Sequence, residues 1–91
     1  MKVIQTTILG VVIIEPTVHS DKRGYFFESF KTSDFQAHGL PTHFVQDNQA
    51  KSTKGVLRGL HYQLDYPQGK LVWVSAGKVM DVAVDIRKES P

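Results

Sequence analysis

The chain has 91 residues, 11 Lys+Arg against 9 Asp+Glu, a formal net charge of +2 and no cysteine. That length suits one small domain and not two, and the lack of cysteine excludes disulfides and thiolate metal sites. The charges are interspersed, with no lysine/arginine block of the kind that tracks nucleic acid, and no apolar stretch approaches the ~18–20 residues of a membrane span. Lys2 precedes a short apolar run broken by Gln5, Thr6 and Thr7, a pattern from which no secretory leader is expected. A cytoplasmic protein with no nucleic-acid or membrane partner is expected.

Taken in chain order, strand signals dominate. The run at 11–16 (VVIIEP) is apolar and ends at a proline, as a strand does. Residues 20–24 (SDKRG) are turn-like. Residues 25–30 (YFFESF) have strand composition; alternation sets Phe26, Glu28 and Phe30 on one face and Tyr25, Phe27 and Ser29 on the other. Residues 32–40 form the one helix candidate, about two turns long, with Thr32 or Ser33 as cap and Gly39 as stop. Extended chain returns at 42–50, where Phe44, Gln46 and Asn48 share a face. Turns follow at 51–55 and 65–69, on either side of a strand-like segment at 56–63 (VLRGLHYQ). Residues 70–87 read as two strands joined at Ala76-Gly77. In the second, Met80, Val82, Val84 and Ile86 line one face, and Val79, Asp81, Ala83, Asp85 and Arg87 the other. Short strands with polar turns predict an antiparallel sandwich or barrel.

The segment at 56–63 raises a chemical question, because Arg58, His61 and Gln63 sit among core-forming residues. His61 is either a structural histidine bonded to a backbone carbonyl or a general base, for which an imidazole titrating near pH ~6.5 is suited. Strict alternation places Arg58 and His61 on opposite faces; either Gly59 between them marks a bulge that re-aims a side chain, or Arg58 lies at the strand mouth or is a solvated edge residue. Arg23 and Lys70 lie beside turns, as solvated charges or as anion ligands: arginine's fork fits phosphate oxygens, and a lysine ammonium stabilises a developing enolate. Gln46 and Asn48 are edge polarity or ligand contacts. The histidines at 19, 38, 43 and 61 form no His-x-His or His-x-x-x-His pair, and His19 and His38 fall in turn-like segments. A metal site is not expected.

The order of these segments is more specific than any one of them. RGYFFESF, then FVQDNQAKSTKGVLRGLHYQ, then PQGKLVWVSAGKVMDVAVDIRKESP closely resembles the dTDP-4-dehydrorhamnose 3,5-epimerase family over essentially the whole chain. The resemblance implies an all-β, cupin-like jelly roll (a double-stranded β-helix), of which residues 1–91 form the N-terminal part, with antiparallel sheets and one short helix. It implies a homodimer and neither metal nor redox cofactor. The implied substrate is a dTDP-linked 4-keto-6-deoxy sugar, dTDP-4-dehydro-6-deoxy-D-glucose, inverted at C3 and C5 through enolates to dTDP-4-dehydro-L-rhamnose.

Carried over residue by residue, His61 matches the family's base and Lys70 the lysine near the keto oxygen. Arg58 matches an arginine on the phosphates. Arg23 and Glu28 match nucleotide-binding positions, with Glu28 near the thymine. Gln46, Asp47 and Asn48 match a polar substrate-contacting triplet. On this reading the 56–63 strand lines a barrel and its polar residues face a ligand.

Family members are about twice this length, and two of the family's groups match nothing here: the tyrosine acid and the carboxylate that pairs with the histidine. Tyr62 and Tyr66 do not fit the tyrosine's context. The chain on its own is therefore expected to show little or no epimerase activity, and to self-associate, by strand exchange or otherwise, because half a jelly roll exposes its apolar face and sheet edges. The alternatives are a non-catalytic sugar-nucleotide-binding or self-associating module and, against the histidine spacing, a metal-dependent cupin oxygenase or isomerase.

Overall fold

A computed structural model describes residues 1–65 and 68–88. Its regular structure is β, in antiparallel pairs, with one short helix. The chain forms two compact units, residues 1–42 with 80–88 and residues 43–79.

In the first unit, β1 (Lys2–Gln5) pairs antiparallel with β2 (Val12–Glu15), in the register Val3↔Ile14 and Ile4↔Ile13. β-branched residues favour this pleated ribbon. It is one-sided: Val12 and Ile14 are half-buried while Ile13 between them is exposed. The connection is closed by Thr6, whose hydroxyl donates to the Val11 carbonyl at 2.6 Å and accepts the Ile8 N–H at 3.2 Å.

β3 (Val18–Asp21) and β4 (Gly24–Phe27) make a second hairpin with Lys22-Arg23 as its two-residue turn. Asp21 Oδ1 accepts the Arg23 backbone N–H at 2.8 Å, the side-chain-to-backbone bond that shapes such turns. Tyr25 and Phe27 stack on one face of β4, ring centroids 6.0 Å apart, as strand alternation requires. The strand expected over 25–30 starts one residue earlier and stops at Phe27, so Glu28 lies beyond it. His19, expected in a turn, sits in β3 opposite Phe26.

The helix α1 (Thr32–Ala37) is capped by Lys31, in extended backbone and with no side-chain bond, rather than by Thr32 or Ser33. Its end is built as expected at Gly39, with φ of +70°. The Gly39 N–H donates to Gln36 O at 3.0 Å and the Leu40 N–H to Phe35 O at 2.9 Å, which satisfies two terminal carbonyls in a Schellman arrangement. Six residues are too few for an autonomous helix. Tertiary packing holds it: Phe35 is 2% exposed and meets Phe30 edge-to-face at 4.6 Å. Among the described residues Phe35 is the one buried apolar side chain.

Residues 80–88 of the same unit run without a ladder partner. Arg87 Nη2 donates to the Leu9 carbonyl at 3.1 Å and pairs with Asp85 Oδ2 at 2.7 Å. A hollow of about 200 Å³ lies there, lined by Ile8, Leu9, Val11, Val84, Asp85 and Arg87.

The second unit contains neither strand nor helix among its described residues. The strand expected over 56–63 and the two expected over 70–87 are not formed, for a physical reason: a strand needs a neighbour for its N–H and C=O groups, and none pairs with these segments among the described residues. Its apolar side chains stay in solvent, Leu57 at 92% and Leu64 at 83% exposure. The expected turn at 51–55 is present, with the Val56 N–H donating to Thr53 O at 3.3 Å. The turn expected at 65–69 includes Tyr66 and Pro67, which lie outside the described residues. No helix among the described residues is long and apolar enough to cross a membrane.

Candidate functional site

Six of the eight candidate residues lie in the second unit: Gln46, Asp47, Asn48, Arg58, His61 and Lys70. All are exposed. Gln46 Nε2 donates to Asn48 Oδ1 at 3.3 Å, so these two side chains do share one side of the chain, as alternation predicts. Arg58 reaches back across the 51–55 turn, with Nη2 donating to the Lys51 carbonyl at 3.1 Å. Between Arg58 and His61 the backbone turns at Gly59, where φ is +119°. Side chains rarely adopt that conformation, but with no ladder over 56–63 there is no bulge for the glycine to mark. A Cβ there would stand 3.9 Å from His61 Nδ1, in ordinary contact. His61, Arg58 and Lys70 line neither of the two hollows found in the first unit. The expectation that 56–63 lines a β-walled hollow is not met among the described residues, because no strand pairs with it.

Arg23 and Glu28 belong to the first unit. Glu28 is exposed just past β4. Arg23 occupies the β3–β4 turn with its side chain 91% exposed, and Asp21 holds its guanidinium: Nη2 to Oδ2 at 2.6 Å, Nε to Oδ2 at 3.1 Å and Nε to Oδ1 at 3.3 Å. The side-chain bond from Arg23, and after it the Arg23 backbone N–H, lower the Asp21 carboxyl below its ordinary range; the same pairing raises Arg23 further above its own. A hollow of about 410 Å³ opens beside this turn, with His19, Asp21, Arg23, Tyr25 and Phe26 on its walls.

Two further residues form a second pair of this kind. Asp85 Oδ1 accepts both the backbone N–H of Arg87, at 3.1 Å, and its Nε–H, at 2.9 Å. The pairing, chiefly the side-chain hydrogen bond and then the nearby charge, raises the Arg87 pKa. Sequence alone offers Asp81 and Asp85 as carboxylate partners for His61 if their face turns inward; Asp85 instead engages Arg87, and neither that pairing nor the one of Asp21 with Arg23 is anticipated, although the recurring Asp-x-Arg spacing was the available signal. Among the described residues no group of three or more His, Asp or Glu side chains is placed to hold a metal ion.

The candidates are thus exposed cations, Arg23 on the hairpin turn of the first unit and Arg58 and Lys70 in the second, with the exposed imidazole of His61 also in the second. The family model described as dTDP-4-dehydrorhamnose 3,5-epimerase matches residues 5–91. A dTDP-4-dehydrorhamnose 3,5-epimerase of Shigella flexneri is 61% identical over 93 residues, covering 100% of this chain and 51% of the relative. One from Methanothermobacter thermautotrophicus is 56% identical over 87 residues, 96% of this chain and 47% of the relative. One from Escherichia coli is 54% identical over 92 residues, 99% of this chain and 50% of the relative. The chain belongs to the dTDP-4-dehydrorhamnose 3,5-epimerase family. It spans about half the length of these relatives. No solved structure matches it.

Proposed function

We propose that this chain carries the base-bearing half of a sugar-nucleotide 3,5-epimerase site. The substrate is dTDP-4-dehydro-6-deoxy-D-glucose. Its 4-keto group acidifies the hydrogens on C3 and C5. His61 takes one of these protons, the C–H electron pair moves into an enolate, and the negative charge comes to rest on the C4 oxygen beside the Lys70 ammonium. A proton delivered from solvent to the opposite face re-forms the C–H bond with inverted configuration. Arg58 and Arg23 hold the diphosphate, Glu28 the thymine, and Gln46, Asp47 and Asn48 the polar groups of the substrate. The observation that carries this reading is the family match over residues 5–91, which spans all eight positions.

The same reading takes residues 1–91 as the N-terminal part of a single cupin-like jelly-roll domain in a cytoplasmic homodimer, with no cofactor. The exposed Leu57 and Leu64 favour association, since an unpaired, strand-like apolar segment invites a partner strand. Sedimentation at micromolar concentration is expected to give a dimer; a folded monomer would count against this part.

The chemical part is tested by deuterium uptake at C3 and C5 of the sugar nucleotide in D₂O. An acid–base partner contributes roughly 10²–10⁴ in rate, and no residue here matches the family's acid. The chain alone is therefore expected to exchange at least ~10²-fold more slowly than the Escherichia coli relative, and His61→Ala to abolish what remains. Residual exchange unchanged by His61→Ala would overturn the assignment of the base. Binding of dTDP with no exchange at all would leave a nucleotide-binding module instead.

A further inference from the structure

The structure contains the same device twice. In each copy an aspartate and an arginine two residues apart fold onto one another: the arginine backbone N–H meets Asp Oδ1, and the guanidinium meets the carboxylate through its Nε and Nη2 hydrogens. That side-on engagement uses one edge of the planar fork. The other edge, formed by the outer hydrogens of Nη1 and Nη2, is left pointing away from the carboxylate, and a guanidinium has donors enough to serve both.

The two copies differ in what meets the outer edge. At Arg87 it is occupied: Nη2 donates to the carbonyl oxygen of Leu9 at 3.1 Å, a residue 78 positions away. At Arg23 the only partner among the described residues is Asp21, the side chain is 91% exposed, and the fork stands on the wall of the 410 Å³ hollow. The occupied copy shows what the device does, which is to hold a fork so that its outer edge delivers hydrogen bonds to an oxygen acceptor.

We propose that Asp21 is a positioning residue that holds Arg23 by its Nε/Nη2 edge and presents the Nη1/Nη2 edge to a phosphate oxygen pair of the bound nucleotide. This rests on the reading above in which Arg23 contacts the diphosphate. The carboxylate is itself an anion beside an anion site, so charge and positioning pull in opposite directions. If Asp21 acts only through its charge, removing it tightens anion binding. If it positions the fork, removing it weakens binding, because a free arginine must be ordered by the ligand; that ordering corresponds to roughly 2- to 10-fold in affinity. Exposed pairs of this kind add little to fold stability, so the substitution leaves the hairpin to be tested intact.

The experiment is titration of the chain with dTDP and with inorganic pyrophosphate, alongside NMR of the arginine Nε–H groups. Asp21→Asn keeps the acceptor for the turn's backbone N–H and removes the charge. It is expected to weaken both ligands about 2- to 10-fold and to broaden the Arg23 Nε–H signal, which in the parent is as ordered as that of Arg87. Unchanged or tighter binding by Asp21→Asn, while Arg23→Ala weakens it, overturns the positioning role and leaves the diphosphate contact standing. Unchanged binding by Arg23→Ala removes the contact itself, and the proposal with it. An Arg23 Nε–H signal no more ordered than that of an unpaired arginine in the parent also overturns the proposal.

Discussion

Replacing Phe35 by alanine asks what makes α1 a helix. Intrinsic preference and packing give opposite signs. Alanine is the better helix former, by up to ~0.7 kcal/mol, so preference alone predicts a firmer helix. Phe35, however, is 2% exposed and packs edge-to-face on Phe30 at 4.6 Å. Truncating a buried phenylalanine costs about 3–5 kcal/mol, of which the ring pair accounts for ~0.5–1.5. The net loss is therefore about 2.5–4 kcal/mol, roughly 60- to 700-fold in the opening equilibrium at ~1.4 kcal/mol per decade. The reporters are the amides that close the helix, Leu40 N–H on Phe35 O and Gly39 N–H on Gln36 O. Their hydrogen-exchange protection, followed by NMR, is expected to fall by roughly 60-fold or more, or to vanish where less was present. Phe35→Leu, which keeps part of the apolar volume, is expected to lose less. Protection in Phe35→Ala within threefold of the parent, or above it, would mean that propensity and the glycine stop hold the helix and that the one buried ring does not.

Two other outcomes follow from local geometry. Gly59→Ala forces a side chain onto a φ of +119°, at a cost of roughly 1–3 kcal/mol; in an unladdered segment the backbone relaxes instead, so the three-bond HN–Hα coupling at position 59 is expected to report negative φ and the His61 ring signals to shift. Retention of positive φ with unmoved His61 signals would refute it. The Asp21 carboxyl, lowered by Arg23, is deprotonated in the folded chain below the ordinary carboxylate value of ~3.9. Its contribution is thus present above that value and is lost as pH falls through the lower, folded one. A carbon-detected titration should place its midpoint below the ordinary value, and Arg23→Ala should raise it; equal midpoints would refute the pairing.

The sequence was legible where residues carry their own instructions. The β-branched run at 11–16 became β2, the aromatic run at 25–30 became β4 and its exit, and Gly39 closed the helix because its left-handed backbone lets two carbonyls be satisfied at once. β1 and β3 were not legible: Lys2–Gln5 is short with polar ends, and Val18–Asp21 is three-quarters polar, so pairing, not composition, makes them strands. The reverse holds for 56–63, whose composition signals a strand while no described residue of its unit pairs with it. At the candidate site, the alternation that sets Gln46 and Asn48 on one side was readable. The grip of Asp21 on Arg23 was not, since it depends on a tight hairpin bringing two neighbours two residues apart into a fork.

The bond from Arg87 to the Leu9 carbonyl also sets an order of events during synthesis. The hairpins β1–β2 and β3–β4 involve only near neighbours, and such hairpins form in about 1–10 μs. A ribosome adding ~5–20 residues per second needs several seconds to deliver the arginine 78 positions further on. Through that interval the β1–β2 connection is held by its own Thr6 bonds alone, and the long-range tie at Leu9 is the last of these contacts to form.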